Sequence, residues 1–443
     1  MAQPPPENPP STSDASGIQH QLDEKYPHDT TSKPPSPSAE YPEGGYRAWG
    51  VVLGSWMALF GSMSFMNSIG TFQTYLLRNQ LSDHSPEAVG WIFGVYNGLT
   101  FLLGVQAGPI FDARGPRGLI FCGGVLTILY LMLLGICTEY WHFMLVYGVL
   151  GGTSLSLIFG PAIAIVAHYF NARRGFATGI ASSGGAVGGV VFPLTLQKLF
   201  GTVGFSWATR IAGFICVVTF SLAMLLISPR FPPKPLTLST VRPDLTILCQ
   251  GGLALTSLGV FFLEWGLFIP FTYLASFALD RGSSVTFSYM LLSLINAAGV
   301  FGRWVPGFYA DRLGRFNMLI LTVLGCLISF LLLSRPSTTS EPLMVVFALV
   351  FGFFGGSNVS LAPVCVGQLC KVEAFGRYYS SAYIFVSISM FTGTALGGKF
   401  IEICNGKYHG VFAFAAASYL ASFICLVVAK IVCCGKSNIW SKF

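Results

Sequence analysis

The sequence predicts an all-α membrane protein with twelve transmembrane helices in two six-helix bundles and both termini cytosolic. Three observations carry the prediction. The chain is 53% hydrophobic and 10% charged, whereas soluble domains carry about 25% charged residues. Apolar segments long enough to cross about 30 Å of hydrocarbon recur with short polar breaks from Trp49 onward. A charged stretch, Gly307-Phe308-Tyr309-Ala310-Asp311-Arg312-Leu313-Gly314-Arg315, is echoed by Gly108-Pro109-Ile110-Phe111-Asp112-Ala113-Arg114-Gly115-Pro116-Arg117 at a spacing of 307 − 108 = 199 residues, about half the hydrophobic part of the chain.

Residues 1–46 are rich in Pro, Ser and acids and cannot bury enough apolar surface to offset their ordering entropy, so a disordered cytosolic tail is expected. They hold no apolar run, so no cleavable signal peptide is expected and the first helix directs insertion. Helices are placed at roughly 49–77, 87–111, 118–137, 142–168, 175–200, 205–228, 247–279, 285–310, 317–334, 341–367, 376–403 and 410–433. The first bundle takes residues 47–228 and the second 245–434. The proline-rich stretch 229–244 disfavours a continuous helix and reads as the cytosolic linker, and 435–443 as a short cytosolic tail. A second echo, Gly151-Gly152-Thr153-Ser154 against Gly355-Gly356-Ser357-Asn358, supports a parallel repeat.

Of the 25 Lys and Arg, 17 fall in the tails and the loops of one side, while Arg78, Lys198, Arg281, Arg335 and Lys407 fall on the other. Positive charge stays cytoplasmic, so the net charge of +7 marks topology and no nucleic-acid partner. The eleven Cys include no CxxC pair and are expected to be buried small apolar residues; neither they nor the six His show metal-ligand spacing. The chain carries no phosphate-binding P-loop, so ATP is not expected to drive it and no cofactor is implied.

The doubled G-x-x-x-D-R-x-G-R pattern follows the second and eighth helices. It resembles the cytoplasmic loop motif of the major facilitator superfamily: Gly307, Ala310, Asp311, Arg312, Gly314 and Arg315 match, and the first copy keeps Gly108, Asp112, Gly115 and Arg117 but has Ala113 and Pro116 where Arg is usual. Two further stretches, Glu43-Gly44-Gly45-Tyr46-Arg47-Ala48-Trp49 and Tyr169-Phe170-Asn171-Ala172-Arg173-Arg174-Gly175-Phe176-Ala177-Thr178-Gly179-Ile180-Ala181, resemble the two defining motifs of the monocarboxylate porter family, particularly its fungal members. The resemblance covers the chain after Pro42 and implies a secondary transporter of the plasma membrane, functional as a monomer.

An Asp at the end of a helix, with glycines that let two helices approach, can pair with Arg or with a helix N-terminus and latch one end of the molecule. Asp112 and Asp311 are the expected latch carboxylates, Gly108, Gly115, Gly307 and Gly314 the spacers, and Arg117, Arg312 and Arg315 the partners, with Glu373 a further candidate. Gly179, Gly184 and Gly188 form a small-residue face for helix packing.

Ionisable residues inside membrane helices are functional candidates by default. Arg303 lies 8 residues before Asp311, about 12 Å along the helix and near the midplane, where a guanidinium can bind a carboxylate bidentately. In the monocarboxylate porters an arginine at the matching place, four residues before the motif glycine, binds substrate; the alternative here is a structural pair with Glu264. Glu264, mid-way along the seventh helix, is a candidate proton carrier or that counter-ion. The family's acid four residues before the arginine and its lysine in the first helix are Gly299 and Asn67 in this chain. Asn67, Tyr96, Asn97, Asn296 and Asn358 are the expected polar linings of a cavity; His168 is expected at an interface, and Arg210, Lys399 and Glu402 near the outer helix ends.

These readings imply transport of a small, monocarboxylate-like organic anion by alternating access, with protons as a second partner if Glu264 titrates. Two alternatives share the fold: efflux of a fungal secondary metabolite or drug-like compound, which 14% aromatic residues suit, and import of a riboflavin-like vitamin. A non-transporting nutrient receptor is the alternative of another class; it would be expected to carry a large folded cytosolic extension. No enzyme is expected, because no acid pair shares a helix face mid-membrane.

Overall fold

The computed structural model describes residues 41–232, 245–249, 251–333 and 340–434, and among them the chain is helical with no strand. In order, the helices are α1 (Gly45–Asn67), α2 (Ile69–Arg78), α3 (Pro86–Arg114), α4 (Pro116–Leu134), α5 (Tyr140–Phe143), α6 (Gly152–Tyr169), α7 (Arg174–Thr202), α8 (Gly204–Leu226), α9 (Gly251–Asp280), α10 (Val285–Leu313), α11 (Arg315–Leu333), α12 (Glu341–Val366), α13 (Phe375–Ile403) and α14 (His409–Cys434). Eleven described helices are long and apolar enough to cross a membrane. The twelfth rod of that length is α10, 29 residues, whose hydropathy is lowered by Asn296 and Arg303.

Two rods differ from the expected unbroken helices. The first is interrupted at Ser68, between α1 and α2. The fourth contains eight residues of π-helix, Met144–Gly151, between α5 and α6, a local widening that hydropathy cannot register because it leaves the apolar pattern unchanged. The expected tail boundary also moves. Glu43 belongs to the folded body: its carboxylate accepts the N–H groups of Asn171, Ala172 and Arg173 at 2.7, 2.6 and 3.2 Å, and α1 starts two residues later. The remainder of the expected tail, most of the linker and the 435–443 tail lie outside the described residues.

Four helices face outward. Exposed Phe121, Val125 and Leu129 on α4, Phe214, Val218 and Leu225 on α8, Leu321, Ile328 and Leu331 on α11 and Leu420, Ile424 and Val432 on α14 form apolar strips that only a lipid or protein surface satisfies. The inner helices carry the glycines. In α7, a Cβ on Gly184 would strike the Trp56 carbonyl of α1 and one on Gly188 the Ser64 hydroxyl, while one on Gly179 would strike the Arg303 carbonyl of α10. These three glycines lie against two different partner helices, α1 and α10.

One end of the molecule is closed by a duplicated contact. Asp311, in the last turn of α10, accepts the N–H groups of Gly175 and Phe176 at 2.8 and 2.9 Å, the first turn of α7. Asp112, in the last turn of α3, accepts those of Gly376 and Arg377, both at 2.9 Å, the first turn of α13. Each carboxylate supplies an N-cap to a helix of the other half, satisfying two N–H groups the helix cannot bond itself and facing the positive end of its dipole. The glycines explain the spacing. Gly307 and Gly175 meet backbone to backbone, as do Gly108 and Gly376. Gly115 and Gly314 end their helices at φ 75° and 100°, a left-handed conformation glycine adopts without steric cost.

The three motif arginines make three different contacts. Arg117 donates to the Ile227 carbonyl at 2.8 Å, and Arg312 lies over the Phe308 ring, 4.2 Å from its centroid. Arg315 approaches the Asp311 carboxylate at 3.7 Å, and it also donates to the Asn171 carbonyl. The helix N-termini suit the carboxylates because their two N–H groups are fixed in place by the helix, whereas an arginine side chain must be immobilised to pair. The Glu373 side chain lies outside the described residues. The two ends of the described body, Glu43 beside Tyr169 and Lys430 bonded to Asn317, both lie at this latched end.

If the two carboxylates hold the latch, Asp112→Ala and Asp311→Ala each weaken it by about 1 kcal/mol, roughly fivefold in the ratio of closed to open molecules. Spin labels at Arg173 and Leu313 would show a longer-distance population growing in each variant and growing further in the double variant. An unchanged distance distribution in the double variant would remove the caps from this role.

Candidate functional site

Backbone contacts aim Arg303. The Arg303 segment of α10 is wedged between α7, where Gly179 sits on the Arg303 carbonyl, and α12, where Gly356 sits on Gly299 and Gly302 on the Phe353 carbonyl. Ser357 adds a hydrogen bond to the Gly302 carbonyl at 2.6 Å. With the backbone gripped on both sides, the guanidinium is directed into a small pocket of about 20 Å³, lined by Asn67, Leu267, Phe268, Phe271, Asn296 and Gly299 among others.

Arg303 is 4% exposed and its Nε has no hydrogen-bond partner. The expected alternative, an ion pair between Arg303 and Glu264, is not formed. A buried cation without a counter-ion is costly, and the cause here is Gly299. A Cβ at that position would stand 3.7 Å from the Arg303 Nη1, so a carboxylate side chain there would lie against the guanidinium.

The pocket shares Asn67, Phe268 and Phe271 with a far larger chamber of about 670 Å³. The chamber occupies the end of the molecule away from the latches. Its walls include Trp91, Phe93 and Phe391, and its rim Glu87, Lys399 and Glu402. Lys399 and Glu402 neutralise one another at 2.8 Å. Asn97 lines the chamber, and its Oδ1 has no partner. Tyr408, outside the spans, is held above the ordinary tyrosine range by burial and by the charge of Asp280, so it stays a neutral phenol at physiological pH.

The expected lining residues divide. Asn67 and Asn296 line the pocket with Arg303; Asn67 is oriented by donating to the Gly185 carbonyl at 2.9 Å, Asn296 by donating to Leu292 at 3.1 Å. Asn358 does not line it. Its amide is consumed between α12 and α11, accepting from Thr322 at 2.8 Å and bonding Cys326 at 3.4 Å. Tyr96 is 1% exposed and packs on Tyr147 and Gly151 inside the first bundle, while its neighbour Asn97 faces the chamber. Helical rotation decides this, and polar character alone does not report it. Phe268 and Phe271, the sill between the two spaces, carry no polar signal and were legible only as apolar helix.

Glu264 is 5% exposed and lies one helical turn from Leu267 and Phe268 toward the latched end, within electrostatic reach of Tyr379 and Tyr383. His168 is buried at an interface, as expected, between the Phe111 and Phe231 rings, and both ring nitrogens lack hydrogen-bond partners.

Two helical bundles latched at one end around a chamber open at the other are the architecture of a membrane transporter. The chain belongs to the major facilitator superfamily: the family model "Major Facilitator Superfamily" matches residues 51–394 and 307–432. It is 32% identical over 425 residues to the riboflavin transporter MCH5 of Saccharomyces cerevisiae, covering 91% of this chain and 81% of that one. It is 33% identical over 406 residues to the aspyridones efflux protein apdF of Emericella nidulans, covering 90% and 81%. Among solved structures it resembles the transporter FucP in its outward conformation, with TM-score 0.64, 16% identity and coverage of 86% of this chain and 98% of that one. The human organic anion transporter MFSD10 (TETRAN) shares the fold with TM-score 0.66 and 15% identity, covering 86% and 100%.

The Gly299 position yields a prediction. Gly299→Asp supplies Arg303 with an internal counter-ion and is expected to weaken binding of a carboxylate ligand by roughly tenfold or more. Isothermal titration of the purified variant checks this; undiminished affinity would mean that the guanidinium is not what an anion meets.

Proposed function

We propose that the protein is a secondary active transporter that carries an organic anion by alternating access, with Arg303 receiving the acidic group. The observation that carries this reading is a buried guanidinium without a counter-ion, at the floor of a chamber that is open at one end of the molecule while helix caps close the other. Attraction of an anion and repulsion of cations are what such a cation offers in a low-dielectric site. Alternating access then follows from exchange: release of the caps lets the two halves rock, closing the chamber as the latched end opens.

The latched end is the cytosolic one in this reading, supported by the Lys and Arg concentrated in its loops, and the membrane is the plasma membrane. Kinship to the monocarboxylate porters is supported by two motifs that touch one another. Glu43 of the first caps the turn that begins the second, and Trp49 packs on Phe170 and Phe176, with ring centroids 5.1 and 6.3 Å apart. Glu264, close to the site on α9, is the proposed proton carrier if transport is proton-coupled. Export of a secondary metabolite is the second reading, favoured by relatives such as the aspyridones efflux protein; import of a vitamin is the reading the riboflavin transporter suggests.

Arg303→Gln is expected to reduce carboxylate transport into proteoliposomes by roughly 10- to 150-fold, the loss of a charge-assisted bond of about 1.5–3 kcal/mol, with membrane insertion unchanged. Transport at the wild-type rate would dismiss Arg303. Separately, Glu264→Gln is expected to abolish accumulation driven by a pH gradient while sparing exchange of substrate for substrate; gradient-driven accumulation in the variant would exclude Glu264 as the carrier.

A further inference from the structure

The two spaces at the site differ so much in size that they specify the shape of the ligand. About 20 Å³ around Arg303 is room for roughly one water-sized probe, enough for a single acidic group and for no substrate body. The adjoining chamber, about 670 Å³, falls within the range of sites that take drug-sized molecules, roughly 300–1,000 Å³. The two meet at Asn67, Phe268 and Phe271, which line both. A ligand that contacts Arg303 and fills the chamber must therefore narrow to its acid at this sill.

The chamber walls say what the body is made of. Phe268, Phe271, Trp91 and Phe391 present aromatic surface, to which flat or ring-bearing bodies bind well. The charges on the rim do not favour a second anionic group: Lys399 is already paired with Glu402, leaving Glu87 exposed. Asn97, 4% exposed, lies in the same wall, and its acceptor Oδ1 has no partner.

We infer that the transported anion is an amphipathic, single-headed organic acid of drug-like size with a ring-bearing body, bound with its acid at Arg303 and its body in the chamber against Phe268 and Phe271. The inference rests on the reading that Arg303 receives an anion, and it changes the size class: a lactate-sized acid meets Arg303 with its carboxylate and leaves most of the chamber unfilled.

The test is isothermal titration of the purified full-length protein with acetate, lactate, phenylacetate, naphthaleneacetate and 1-pyrenebutyrate, together with the uncharged 1-pyrenebutanol. Affinity is expected to rise by about tenfold or more from lactate to the largest acids, since burial of aromatic area contributes with size, and 1-pyrenebutanol is expected to bind at least about tenfold more weakly than 1-pyrenebutyrate. Phe271→Ala should weaken the ring-bearing acids and leave lactate unchanged; Arg303→Gln should erase the preference for acid over alcohol. Equal affinity for lactate and the large acids, still dependent on Arg303, would overturn the size class and leave the anion reading standing. Tight binding of the large acid and the alcohol alike, unaffected by Arg303→Gln, would overturn the anion reading instead.

Discussion

The structure depends on a carboxylate placed at the start of a helix that belongs to the other half of the molecule, and on its doing so twice. Asp311 caps α7 and Asp112 caps α13. A helix N-terminus cannot satisfy its own first N–H groups and carries a partial positive charge, so a carboxylate from outside the helix meets an existing need. The contact is directional and has no bulk of its own. It forms only because glycines on both helices, Gly307 with Gly175 and Gly108 with Gly376, bring the backbones together. Such a bond holds one end of the molecule shut and can be released without repacking a core, which suits the alternating access proposed above.

The latch and the site share a rod. Arg303 and Asp311 both stand on α10, and Gly179 of α7 packs on the Arg303 backbone while the first turn of α7 receives Asp311. Any tilt of α10 against α7 that breaks the cap therefore also moves the guanidinium. Arg303 itself is held in a costly state, buried and without a counter-ion, and a bound anion relieves that cost. Electrostatic relief at the site and a change in the packing of α10 are thus linked by geometry, the condition under which a ligand shifts a conformational equilibrium through its differential affinity for the two states.

The two helix-capping carboxylates, their spacer glycines and Arg303 are visible in the sequence because each is a polar or conformationally special residue standing out against apolar helix, and because the first two occur twice. Sequence reading fails where rotation about a helix axis decides. Tyr96 and Asn97 are adjacent in sequence, but only Asn97 faces the chamber; Asn358, as polar as Asn296, is turned into the contact between α12 and α11. The arginines of the loop motif present themselves as partners for the carboxylates because charge is visible in a sequence, whereas the N–H groups of Gly175, Phe176, Gly376 and Arg377 are backbone and have no letter of their own.

By itself the sequence determined the membrane class, the duplication and the depth of each polar group along its helix, since hydropathy, spacing and a rise of about 1.5 Å per residue are properties of local chain. Only the tertiary structure decided which helix each carboxylate caps, that Gly299 leaves Arg303 without a counter-ion, and that a pocket for one acidic group opens into a chamber of about 670 Å³. Those are relations between helices distant in sequence. They arise from how glycine faces and apolar surfaces pack against each other across the bundle, and no single segment contains that information.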